Sequence, residues 1–136
     1  MVATWATRKQ QIFPAETAAV PLAFCLLQRE VFQRDVLIFV DNEAAVSALI
    51  RGASRVADAA QLTELFHALL LRLAARAWVE WVDSDSNPAD GLSRRGLQDP
   101  WTIRQDFILR HVDATAFPPV DVDVFYWMDA CLHWAS

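Results

Sequence analysis

The chain has 136 residues, a net charge of −5 and a hydrophobic share of 54%. That length is about one domain's worth of chain, and an apolar share above the usual ~45–50% excludes global disorder. The acidic balance argues against a binder of nucleic acid that works by bulk attraction, and no apolar run approaches the ~18–20 residues of a membrane helix.

In chain order, Ala3-Thr4-Trp5-Ala6-Thr7 alternates like the tail of a strand. A helix is predicted from Pro14, because proline is tolerated in a first turn. Glu16, Val20, Ala23 and Leu27 share one of its faces, and Pro21 is expected to bend it or delay its start. Val36 to Val40 is a continuous apolar run ending at Asp41, which predicts a parallel or central strand buried on both faces. Asn42 is placed to cap a helix from Glu43 to Ile50, with Gly52 stopping it. A longer helix is predicted over Val56 to Arg76, with Leu62, Leu65, Phe66, Leu69 and Leu73 at helical spacing. Trp78 to Val82 predicts a short strand, with Trp78 and Trp81 in core and sheet packing. Residues 83–88 predict a turn-rich loop, and a short helix runs from Pro88 or Ala89 to Arg95.

Strands alternating with helices imply an α/β fold over residues 1–96. Beyond Gly96 the pattern weakens. Pro100, Pro118, Pro119 and an aromatic-rich end make residues 97–136 read as a C-terminal extension or connector. Cys25 and Cys131 lack metal-ligand spacing and read as buried free thiols in a reducing compartment. Residues 1–11 have no signal-peptide pattern, so the expected location is intracellular, in cytoplasm or nucleus.

Three acids stand out by position. Glu16 lies on the apolar face of the first helix, Asp41 ends the buried strand, and Asp90 opens the last short helix. Ligands of open α/β sheets collect at the carboxyl ends of strands. Three acids converging there would suit a hard cation such as Mg²⁺ or Mn²⁺. Each also has a plain structural reading: Glu16 and Asp90 as first-turn acids favoured by the helix dipole, Asp41 as a capping residue.

Pro14-Ala15-Glu16-Thr17-Ala18-Ala19, Phe39-Val40-Asp41-Asn42-Glu43-Ala44-Ala45 and Asn87-Pro88-Ala89-Asp90-Gly91-Leu92-Ser93-Arg94 resemble the successive motifs of ribonuclease H domains in retroelement reverse transcriptases. Leu49-Ile50-Arg51-Gly52-Ala53-Ser54 is similar to the same group. The resemblance spans about residues 10–95, and the Asn-Pro-Ala-Asp segment is its most specific part.

The resemblance implies a ribonuclease H-like mixed sheet flanked by helices, with the opening strands missing or incomplete. It implies metal-dependent hydrolysis of RNA in RNA–DNA hybrids, with Glu16, Asp41 and Asp90 as catalytic and metal-binding residues. Two Mg²⁺ or Mn²⁺ ions are expected in the intact domain. The family carries four acids, and Glu16, Asp41 and Asp90 match the second, third and fourth. Residues 1–15 contain no acid, so the chain is expected to be truncated at its N-terminus and weak or inactive when isolated. The family's histidine before the last acid is replaced by Asp83-Ser84-Asp85-Ser86.

Asn42, Ser54 and Arg94 are the expected nucleic-acid contacts, with Arg51, Arg55 and Arg95 as further phosphate candidates. His67 is expected to be packed or exposed, not catalytic. The implied partners are an RNA–DNA hybrid and neighbouring reverse transcriptase domains of a polyprotein, without a membrane. Two alternatives remain open: a non-catalytic ribonuclease H-like connection module, and an integrase- or transposase-type relative. The setting of Asp90 argues against the latter.

Overall fold

The computed structural model describes residues 12–108 and 123–135. The strand predicted at residues 3–7 lies outside them. Helix α1 spans Ile12–Leu26 and runs through Pro21, which is fully buried. A short helix α2, Gln28–Val31, leads into strand β1, Asp35–Val40. Helices α3, Glu43–Arg51, and α4, Ala57–Arg72, connect β1 to strand β2, Arg76–Trp81. A single 3-10 turn, Ser84–Ser86, precedes α5, Pro88–Arg95. Two further helices follow, α6 at Pro100–Arg104 and α7 at Val124–Ala135. The chain is therefore mixed α/β and mostly helical.

The strands pair in parallel, with Asp35 opposite Arg76 and Val40 opposite Trp81. They form the only sheet among the described residues, and its two strands are parallel. Parallel neighbours need a crossover, and α3 and α4 supply it. Residues in register face the same way, so Val36, Ile38, Ala77 and Val79 turn towards the helices and pack on the core. Leu37, Phe39 and Trp78 turn away and are 69%, 60% and 65% exposed. This corrects the expectation of a strand buried on both faces and of a packed Trp78. Among the described residues helices cover one face only, so the unbroken apolar run does not translate into two-sided burial. Trp81, at the end of its strand, is also exposed.

The α4 stop differs too. The helix ends at Arg72 instead of reaching Arg76, with Ala74 in a left-handed conformation. Arg76 belongs to the sheet, where its guanidinium donates to Asp35 at 2.7 and 2.9 Å. Helical spacing alone could not see that competing pairing. At the end of α3 the prediction and the structure coincide. Gly52 takes φ 69 and its N–H donates to the Ala48 carbonyl, a left-handed cap that glycine adopts without a Cβ penalty.

The core lies between α1, α3, α4, α7 and the inner sheet face. Phe24 of α1 meets Phe66 of α4 edge to face, with ring centroids 5.4 Å apart. His67 Nε2 donates to the Leu49 carbonyl at 2.7 Å, tying the end of α3 to α4; this is a packing role. Helix α7, within the segment read as a connector, contributes Trp127, Met128 and Cys131 to the same cluster. No described helix is long and apolar enough to cross a membrane.

Candidate functional site

Glu16, Asp41 and Asp90 line one cavity of about 830 Å³ beside β1. Its walls are α1, the edge of β1, and α5 with the turn before it. Local structure explains how each acid arrives. Glu16 stands four residues beyond Ile12, the first described residue of α1, and so lies past a first turn. The dipole explanation, confined to a first turn, therefore does not account for it. Asp41 follows the last residue of β1. Asp90 is in the first turn of α5, so the dipole does favour it there.

Two asparagines do paired work. Asn42 caps α3 by accepting from the Ala45 N–H at 3.0 Å. That bond uses its carbonyl oxygen, which leaves its amide nitrogen for the Glu16 carboxylate, whose value Asn42 lowers. Asn87 caps α5 by accepting from the Ala89 N–H at 3.1 Å, and its Nδ2 donates to Asp41 Oδ2 at 3.0 Å. Each asparagine thus starts a helix with one end of its amide, and Asn87 holds Asp41 with the other. Asn87 was not among the expected site residues. The only sequence signal was a cap before a proline, which cannot reveal what the opposite end of the amide touches.

The electrostatics are uneven. Burial raises the Glu16 carboxyl above its ordinary value, and the nearby Asp41 charge raises it further, while Asn42 pulls it back. Glu16 Oε2 is buried without a hydrogen-bond partner. Asp90 is instead met by Arg94, whose Nε lies 3.1 Å from Oδ1 and 3.0 Å from Oδ2.

The expected nucleic-acid residues divide. Asn42 and Arg94 are at the acids. Ser54 is absent from the cavity wall; its hydroxyl accepts from the Val56 N–H at 3.1 Å in the loop between α3 and α4. Arg51 and Arg55 are exposed, and Arg95 pairs with Asp99.

Among the described residues, no three acids, histidines or cysteines are grouped closely enough to hold a metal ion together. The residues fit a cation in part. Glu16 and Asp41 repel each other and leave a buried oxygen unpartnered, which a cation would relieve, whereas Asp90 already has a counter-charge. No protein-family profile, curated protein or solved structure matches the chain.

Proposed function

We propose that this chain is a ribonuclease H-like nuclease domain of a retroelement reverse transcriptase, acting on the RNA strand of RNA–DNA hybrids. The observation that carries this reading is the shared cavity of Glu16, Asp41 and Asp90 at the carboxyl end of a parallel strand. The motif resemblance supplies the reaction, and the unpartnered Glu16 oxygen beside Asp41 supports a need for positive charge.

Glu16 and Asp41 are the residues that would hold Mg²⁺ or Mn²⁺, with Asp90 joining after release from Arg94. A bound divalent cation supplies charge neutralisation at a phosphodiester and a water of lowered pKa. The chain's own contribution is to orient the acids. Asn42 holds Glu16, Asn87 holds Asp41, and Arg94, released from Asp90, is free to meet a phosphate. The first acid of the family has no counterpart in residues 1–15, so hydrolysis by this chain alone is proposed to be slow.

One observation favours a second reading, a non-catalytic module of the same fold. The Asp90–Arg94 pair leaves that acid satisfied without any cation.

Mn²⁺ titration followed by paramagnetic broadening of amide resonances separates the two. The nuclease reading expects broadening centred on Glu16, Asp41 and Asn42, lost in Asp41→Asn. Absence of site-centred broadening at millimolar Mn²⁺ would leave the non-catalytic reading standing. A hybrid-cleavage assay with added Mg²⁺ or Mn²⁺ tests the expected slow hydrolysis, and rapid cleavage abolished by Asp41→Asn overturns the assigned importance of the first acid.

A further inference from the structure

Cys25 and Cys131 are the only cysteines of the chain. One sits near the end of α1 and the other in α7, and these two helices pack directly on each other. Both side chains have 0% exposure and belong to the same apolar cluster. Both are free thiols. The two thiols are near enough to interact, since Cys25 is the leading cause of the shift at Cys131. Nothing in the proposed nuclease site uses them.

We infer that Cys25 and Cys131 form a redox latch, which closes into a disulfide between α1 and α7 when the chain meets a small-molecule disulfide with α7 undocked. With α7 docked the pair is protected. The attacking species in disulfide exchange is the thiolate, and neither sulfur touches solvent. The hydrogen bond from Cys25, followed by burial, also pushes the Cys131 thiol well above its ordinary value. Opening of α7 removes both protections at once, as local unfolding of a packed element does.

The chemistry balances in two exchanges. The thiolate of one exposed cysteine attacks the small disulfide, forming a mixed disulfide and releasing one small thiol. While α7 is still open and both sulfurs are exposed, the second cysteine loses its proton and displaces the other small thiol, forming the Cys25–Cys131 bond. Two protein thiols are oxidised and one small disulfide is reduced to two thiols. The return of α7 towards α1 brings the two sulfurs together for the second step, which is intramolecular, and full packing then encloses the finished bond.

The test incubates the full chain with oxidised glutathione, in native buffer and in urea just below the unfolding midpoint. Intact mass and a non-reducing digest report the product. The latch expects little reaction in native buffer. In urea it expects a Cys25–Cys131 link, a mass lower by two hydrogens, no glutathione adduct, and a higher urea midpoint for the oxidised chain. Cys131→Ala is expected to stop at a glutathione adduct on Cys25 with no gain in midpoint. Cys25→Ala is the mirror control if the first variant does not fold. Stable adducts on both cysteines, equal reaction in native buffer and urea, no reaction in either, or a link that lowers the midpoint would each overturn the latch.

Discussion

Glu16 shows how a single residue can be held at a cost. Its carboxylate is partly buried, stands near Asp41, and has one oxygen without a donor. Asn42 compensates only in part. Because the folded value is raised, the neutral form is the one the fold prefers. The associated stability is present below the unfolded value of about 4.3 and is lost as pH rises through the folded value. Glu16→Gln removes the charge and keeps the shape. It is expected to stabilise the metal-free chain at neutral pH by at most about 1 kcal/mol, after allowing for screening of a partly exposed group. Urea unfolding of the two proteins at pH 4 and pH 7 checks this, with the gap appearing only at the higher pH. A Gln variant less stable at pH 7 would mean that the carboxylate is satisfied. A gain would fit a residue kept for function at the expense of stability.

At the scale of elements, the segment from α5 to α6 is locked by one enclosed acid. Asp99 caps α6 by accepting from the Thr102 N–H and hydroxyl, each at 2.9 Å, and from Arg95 Nε at 2.9 Å. The Thr102 N–H is the main reason its carboxyl lies below the ordinary range, with Arg95 adding to it. Gly91 leaves the room for this acid, since a Cβ there would collide with the Asp99 carboxylate. An alanine in place of a helical glycine ordinarily gains about 0.5–1 kcal/mol. Here overpacking of about 1–3 kcal/mol opposes it, and overpacking should win. Gly91→Ala is therefore expected to lower stability by about 1–2 kcal/mol, read from its denaturation midpoint, and a more stable variant would show that Asp99 can move aside. The glycine of the Asn-Pro-Ala-Asp-Gly segment thus has a packing reason that the sequence did not disclose, because Asp99 belongs to a later turn.

At the scale of the whole molecule, α7 is part of the core that α1 and α4 build. Trp127 is 1% exposed, within a cluster that also holds Phe24, Phe66 and Leu69. Trp127→Ala is expected to cost about 3–5 kcal/mol, a large part of a typical domain's stability. Thermal melting followed by circular dichroism measures it, and a loss below about 1 kcal/mol would show that α7 is dispensable to the fold.

What the amino-acid order determined by itself is local. Asn42 and Gly52 bound α3, Pro88 opens α5, and the apolar runs mark β1 and β2, because capping, backbone freedom and side-chain periodicity act within a few residues of chain. The acids were legible as candidates for the same reason, each standing at the start or end of an element or on an apolar face. Only the tertiary structure decided that Glu16, Asp41 and Asp90 line a single cavity, that Asn87 reaches Asp41, and that Ser54 stands apart. It also decided that β1 has one open face, that Arg76 leaves the helix for the sheet, and that Cys25 meets Cys131. Each of these depends on contacts between residues distant in the chain, and local spacing carries no information about which distant partner a side chain will find.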